Sequence, residues 1–518
     1  MKWSQFQQNI FTAIEETTDS LIIEAVAGSG KTTTIVEAIN HVPGSQSVVF
    51  LAFNKSIAEE LKRRVTAPNA RCMTLHSLGL TAWKQFLSWD ASSLEVDGKK
   101  VRNIVDELEL PWGAWTKDMG KLVGLAKGGG LVPKELEDKY PHGLARDTKD
   151  AWEETMDRYD IDPDEVDLEL VRRVLVRSIE TAREVVDFDD MLYMPIITGA
   201  AFEKTDVVFV DEAQDVNGIQ AEIVSRMLHD NSRVIVVGDK NQSIYGFRGA
   251  LSDSMTRLQE RFDCRPLPLS VSYRCPKRVV AKAREWVSHI LHHEGSADGL
   301  VETAPEWNVK DFRPGDAILC RNARPVVAVA FHLIRNKVAA RVVGRDIGQG
   351  LVALVNKMKA RTIADLDSRL YLYRAREVAR AKGNESKIAA LDDKLDTIRV
   401  FMDEAGPHAG IGTLLQSIES LFGESQDMRG MVTCSTVHKS KGMEWERVFI
   451  LDADELMPSR WARQAWERQQ ETNLMYVAAT RAKSELRYIT TEGLRSREKE
   501  AGDAETIRGA EAAQANHD

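Results

Sequence analysis

Cysteine is scarce and scattered. The 518-residue chain holds five, Cys72, Cys264, Cys275, Cys320 and Cys434, with no CxxC pair among them. An odd number without paired spacing excludes a disulfide framework and a zinc ribbon, and predicts reduced, mostly buried thiols. Long apolar runs are also lacking. The stretch around PVVAVAFHLI stops far short of the ~18 residues that a membrane span requires. The N-terminal MKWSQFQQNIF has no basic segment followed by an apolar region, so no secretory signal is read and a cytoplasmic protein is expected, nuclear if the source is eukaryotic. Positive charge is in deficit: 69 Lys and Arg against 79 Asp and Glu leave a net charge of −10. That argues against bulk attraction to nucleic acid, yet a local basic groove is enough to hold a strand. Internal repeats and low-complexity blocks of useful length are missing.

What is present is an ordinary globular composition, 43% hydrophobic and 29% charged, in a chain long enough for three or four domains at roughly 150 residues each. LIIEAV (21–26) is a short apolar run followed by AGSGKTT and helix-compatible residues: strand, glycine loop, helix. VVFLAF (48–53), DVVFVDE (206–212) and RVIVVGD (233–239) read as further buried strands. Such runs alternating with helices predict a parallel sheet covered on both faces, with its site at the C-terminal ends of the strands. A second set, DAILC (316–320), ARVVG (340–344), MVTCST (431–436), RVFILD (447–452) and ELRYIT (485–490), predicts a second α/β domain.

Each domain is split. The reading is a first domain of 1–85 and 181–265 with an insertion at 86–180, then a second of 266–344 and 431–491 with a helical insertion at 345–430, and a disordered tail at 492–518. The first insertion carries Trp112, Trp115 and the acidic run EETMDRYDIDPDEVDLE, which predicts solvated helices and loops. The second carries nine basic residues between Lys357 and Lys387 and two tyrosines, Tyr371 and Tyr373. That pattern fits either a surface contacting duplex or strand, or a plain solvated helix face.

The glycine loop is the most informative stretch. In AVAGSGKTT, residues Ala27, Gly28, Ser29 and Gly30 let backbone N–H groups form an anion nest, and the following helix brings its positive dipole end to the phosphates. Lys31 is placed to neutralise β/γ-phosphates and Thr32 to ligate Mg²⁺, with Thr33 beside it. Ala25 replaces the first glycine of the strict pattern. DEAQD delivers Asp211 as the Mg²⁺ partner and Glu212 as the base that positions water. Hydrolysis of ATP or another NTP is therefore expected. GDKNQSIYGFRGA (238–250) puts Gln242 just past a strand, where it could read the γ-phosphate. Tyr245, Phe247 and Arg248 follow, aromatic rings interleaved with Arg as in a stacking platform for the bases of a single strand.

With these motifs assembled, the chain resembles the UvrD/Rep/PcrA family of superfamily 1 DNA helicases, and the helicase part of F-box DNA helicases in LAFNKSIAEEL and TLHSLG. The ordered set is WSQFQQNIF, the phosphate loop, LAFNK, MTLHSLG, DFDDML, DEAQD, GDKNQSIYGFRGA, SYRCP, ILCRNA, TVHKSKGMEWE and NLMYVAATRAK. The resemblance implies two tandem RecA-like parallel-sheet domains, each interrupted by a mainly helical insertion. It further implies ATP and Mg²⁺ as cofactors, single-stranded DNA and single/double-strand junctions as partners, and 3′ to 5′ movement in replication, repair or recombination. By the same resemblance Gln7 recognises adenine, Tyr273 stacks on the base, Arg274 and Arg481 reach the γ-phosphate, and Glu444 helps hold the ribose. It assigns Asn54, His76, Phe247, Arg248, Thr436 and His438 to the strand track.

The sequence departs from the family in three respects. Ala52 stands at the base-stacking position of the LAFN motif, with the aromatic at Phe53; Phe247 replaces the usual Trp; and both insertions are short. The short insertions leave open a second function, stripping proteins from single strands without productive unwinding. A third reading, an ATP-gated binding scaffold, fits poorly with Asp211 and Glu212 both present. RNA also stays open, since stacking and phosphate contacts do not test for the 2′-OH.

Overall fold

The computed structural model describes residues 2–52, 54–88, 94–110, 114–159, 161–244, 253–381, 383–423 and 430–492. The expectations for Phe53, Trp112 and the tail beyond residue 492 fall outside them. The chain folds as two compact units that divide between Val271 and Ser272.

Six parallel strands form the sheet of the first unit: β1 (Leu21–Ala25), β2 (Val48–Ala52), β3 (Ala70–Thr74), β4 (Val207–Val210), β5 (Arg233–Gly238) and β6 (Arg265–Leu269), in the order β6-β1-β5-β4-β2-β3. Strand alternation sends successive side chains to opposite faces. Ile22, Val49, Leu51, Val208, Val210, Val234 and Val236 enter one core, while Leu21, Ile23, Val48, Phe50, Phe209, Ile235 and Val237 enter another. Burial on both faces is why these strands read as continuous apolar runs.

Two strands of this sheet escaped the sequence reading, and both are edges. β3 carries polar residues at a half-exposed edge. β6 reads RPLPL, with prolines that a central strand would not tolerate. The backbone N–H of Arg265 donates to Ser20 O at 2.9 Å and that of Val26 to Leu269 O at 3.1 Å. The two prolines thus sit at alternate positions, where the missing N–H groups are the ones directed away from the sheet. The first sheet therefore runs to Leu269, past residue 265 where the sequence reading ended that domain.

The second unit repeats the plan with β7 (Leu300–Thr303), β8 (Ala317–Cys320), β9 (Ala340–Val343), β10 (Val432–Thr436), β11 (Trp445–Leu451) and β12 (Ala482–Ile489), all parallel, in the order β7-β12-β11-β8-β10-β9. These are two tandem RecA-like cores, each interrupted by a mainly helical segment. All five cysteines are unpaired and buried. Among the described residues no helix is long and apolar enough to cross a membrane.

The interruptions are packed rather than solvated. In the first, Trp152, Leu122, Val123, Val171, Val174 and Leu175 are fully buried and join the core under the sheet. The acidic run does place Glu153, Glu154, Asp157 and Asp164 on the exposed side, while Met156 and Ile161 between them turn inward. Helices Arg345–Met358, Ile363–Arg380, Glu385–Ala405 and Ile411–Leu421 fill the second, joining Leu366, Leu370, Leu395, Phe401 and Leu414 to the core of the second sheet. Several of its basic residues are already paired: Arg369 with Asp365 at 2.7 Å, Arg374 with Asp392 at 2.6 Å and Arg380 with Glu377 at 3.0 Å.

Candidate nucleotide site and strand track

The loop after β1 turns through Gly28 and Gly30, both with positive φ (69° and 75°), a region that side chains rarely adopt. Gly30 caps the helix Lys31–Asn40 without a side chain of its own, so the first N–H groups of that helix stay available to an anion. Ala27 and Ser29 are buried, and Ser29 Oγ has no hydrogen-bond partner among the described residues. Thr32 lies half-buried in the first helical turn, and Thr33 Oγ1 accepts from Arg64 Nη2 at 3.0 Å.

Lys31 reaches Glu212 at 3.5 Å. Burial would lower its pKa, but Glu212, Asp239 and Asp211 outweigh burial and raise it. Asp211 follows β4 directly, and burial together with the Glu212 charge pushes its carboxyl up to about 7. Glu212 adopts a left-handed backbone (φ 50°), which turns the chain sharply just past the end of β4. Its carboxylate accepts from Gln214 Nε2. Gln214 Oε1 accepts from the Asp239 N–H at 3.0 Å, and Gln242 Nε2 donates to Asp239 Oδ2 at 2.7 Å. Lys31, Asp211, Glu212 and Gln242 thus converge at the C-terminal ends of β1, β4 and β5. Asp239 and Gln214, to which the sequence reading gave no role, hold them together; the signal was the GD pair that ends a fully buried strand.

Gln7 lies elsewhere on this loop's flank. Its Nε2 donates to Thr34 Oγ1 at 2.9 Å and its Oε1 accepts from the Ser4 N–H at 3.0 Å, so the buried amide ties the first helix to the phosphate-loop helix.

In the second unit Arg274, Glu444 and Arg481 come together around Thr480. Arg274 Nε pairs with Glu444 at 2.6 Å and its Nη1 donates to Thr480 O at 3.4 Å. Arg481 is 1% exposed. It donates to the carbonyls of Val477 (2.9 Å) and Met443 (3.1 Å) and to Thr480 Oγ1 (3.3 Å). A helix-surface arginine, the plain alternative for this position, is excluded. Tyr273 keeps 39% exposure and its ring lies 5.1 Å from that of His293.

On the strand side, Asn54 caps the helix Lys55–Arg64, its Oδ1 accepting from the Ile57 N–H at 2.9 Å. His76 opens the helix Leu75–Leu87, and burial lowers its pKa. Its ring stands edge-on to Phe188, 6.3 Å away. Gly79 makes this juxtaposition possible: a Cβ there would meet Met191 O at 2.2 Å, so only glycine lets the helix lie against Phe188–Ile197. Phe188 of DFDDML is 59% exposed, a stacking candidate that the sequence reading left unassigned. Beneath it, Lys127 bonds Asp187 at 2.5 Å and Asp190 at 2.8 Å, and Lys100 bonds Asp190 at 2.6 Å. Burial would raise the Asp190 carboxyl, but Lys127 and Lys100 hold it low. Thr436 ends β10, buried, and burial with the Arg321 and Lys439 charges drives His438 down to about 3. Tyr245, Phe247 and Arg248 lie outside the described residues.

The fold and this geometry define a class: tandem RecA-like cores with a phosphate-loop turn on the first and an arginine pair on the second. Comparison with known sequences narrows it. The UvrD/REP helicase N-terminal domain matches residues 4–263 and the UvrD-like helicase C-terminal domain residues 352–493, so the chain belongs to the UvrD/REP helicase family. F-box DNA helicase protein 1 of Schizosaccharomyces pombe is 22% identical over 90% of this chain and 55% of its own length. ATP-dependent DNA helicase Rep of Buchnera aphidicola (subspecies Schizaphis graminum) is 25% identical over 54% of this chain and 44% of its own. For ATP-dependent DNA helicase PcrA of Leuconostoc citreum the figures are 23%, 54% and 38%. The chain spans about half or less of the length of these relatives.

Proposed function

We propose that the chain is an ATP hydrolase that translocates along single-stranded DNA and unwinds duplex ahead of it, with 3′ to 5′ polarity. The observation that carries this reading is the convergence of Lys31, Asp211, Glu212, Asp239 and Gln242 around a phosphate-loop turn. The residues suit ATP with Mg²⁺: Ser29 Oγ is a buried polar atom in the cradle with no partner among the described residues. Mg²⁺ takes one or two carboxylates plus phosphate oxygens rather than a protein cage. Bound ATP would supply the phosphoryl group whose transfer to water releases free energy.

In this reading Lys31 and the loop N–H groups would bind the phosphates, Thr32 and Asp211 would hold the metal, and Glu212 would accept a proton from water. Gln242 senses the γ-phosphate through Asp239. By the family resemblance Arg274 and Arg481 would add guanidinium donors as charge develops on that phosphate. Gln7 and Tyr273 would hold the adenine and Glu444 the ribose. Asn54, His76, Phe188, Phe247, Arg248, Thr436 and His438 would line the strand. The deciding experiment compares unwinding of 3′-tailed and 5′-tailed duplex with ATP, with an RNA-tailed duplex alongside. Strand-stimulated hydrolysis without unwinding of either would favour displacement of bound proteins as the main task.

A further inference from the structure

A cavity of about 1110 Å³ lies within the second unit, at the C-terminal ends of β8, β10 and β11. Ligands of open parallel sheets bind at that end. Arg321, Asn322, Thr436 and His438 line the sheet side, and Arg460 and Trp461, from the segment after β11, line another; the helix Glu385–Ala405 faces them. Trp461 falls between the motifs RVFIL and NLMYVAATRAK and belongs to neither.

Its position is built. Glu471, 6% exposed, takes Arg321 through both carboxylate oxygens (3.0 and 3.2 Å from Nε, 2.8 Å from Nη2). The same carboxylate accepts from the Ser459 N–H at 2.9 Å, and Ser459 Oγ accepts from the Trp461 N–H at 3.3 Å. A chain of hydrogen bonds therefore fixes the Trp461 backbone relative to Arg321, whose charge acts on His438. The Arg460 guanidinium lies 4.6 Å from the Trp461 ring centroid, and the indole is left half-exposed on the cavity. The facing carboxylates do not leave a bare negative wall. Asp392 is held by Arg374 (2.6 Å), Asp393 accepts from the N–H groups of Ala323 and Arg324 (3.0 and 3.1 Å), and Asp396 is held by Arg399 (2.9 Å).

We propose that Trp461, backed by Arg460, is a base-stacking platform of the second unit, receiving one base of a single strand that passes Thr436 and His438. An aromatic face paired with a guanidinium accepts any base, because every base has a π-face. The proposal rests on strand binding by this chain, itself proposed, and adds a residue to the track.

The test titrates a fluorescein-labelled oligothymidylate with wild type, Trp461→Ala and Trp461→Phe, with circular dichroism to verify folding. Expected is a Kd raised by about 5- to 150-fold in Trp461→Ala, the range that loss of one stacked base gives, and largely restored in Trp461→Phe. Wild-type affinity in folded Trp461→Ala overturns the platform while leaving the strand-binding reading intact. Wild type that binds no strand overturns that reading as well. Should Trp461→Ala fail to fold, intrinsic fluorescence decides. Strand should quench wild type more than Trp461→Phe, and equal quenching in the two overturns the proposal.

Discussion

Lys31 is a residue on which burial and three carboxylates act in opposite senses. Its ammonium stays charged because Glu212, Asp239 and Asp211 surround it, and in return it is the cation that lets those carboxylates share one small volume. Lys31→Ala should abolish ATP turnover while strand binding remains measurable, since the proposed strand track lies on other residues. Wild-type turnover in this variant would mean that the phosphates bind at some other place on the chain. Two roles meet at Arg481, one structural and one proposed. Its guanidinium satisfies the carbonyls of Val477 and Met443 inside its own unit, so Arg481→Ala should cost about 1–3 kcal/mol of stability through buried acceptors left unmatched. If the side chain also reaches developing phosphate charge, strand-stimulated kcat should fall at least ~10²-fold. Melting temperature and kcat at saturating ATP and strand, measured together, separate the two roles. Lost stability with retained kcat would make Arg481 a packing residue alone.

At the scale of elements, the first inserted segment is clamped to the helix Phe188–Ile197 by buried polar groups as well as by apolar packing. Lys100 and Lys127 reach from the first insertion into the Asp187 and Asp190 carboxylates of DFDDML, so the turn that exposes Phe188 is set by residues some sixty to ninety positions away. Asp147 does similar work within the insertion. Its side chain, 3% exposed, takes Arg172 Nε at 2.9 Å and Trp152 Nε1 at 2.6 Å. Burial would raise this carboxyl, but the hydrogen bonds from Arg172 and Trp152 hold it below its ordinary value. A depressed carboxyl stabilises the fold above its unfolded pKa, and that contribution is lost as pH falls through the folded value. Asp147→Asn should therefore lower stability at pH 7 by ~1–3 kcal/mol, with the gap to wild type closing as pH drops below about 4. Urea melts across that range check it; a gap independent of pH would mean that the charge contributes nothing.

For the whole molecule, the net charge of −10 and strand binding are compatible only if the contacts are local. Strand affinity should then still fall with salt, log K dropping by about 0.7 per phosphate neutralised against log salt. A flat response between low and moderate salt would leave the strand track without its electrostatic part.

The sequence by itself determined the central strands of the two parallel sheets and the core of the candidate nucleotide site. Strands buried on both faces must be continuous apolar runs, and a phosphate loop, a DE pair and a GD…Q turn are contiguous patterns, because each feature is made by neighbours in the chain. Tertiary structure alone decided what depends on distant partners. Edge strands such as RPLPL carry no burial signature because one side meets no strand. An acidic run says which face is wet and nothing of the tryptophan turned inward beside it. Gly79 against Met191, Lys127 between two aspartates, and Glu471 joining Arg321 to the Trp461 segment are contacts between residues far apart in the chain. No local propensity encodes such contacts; they exist only once the sheets have brought those segments together.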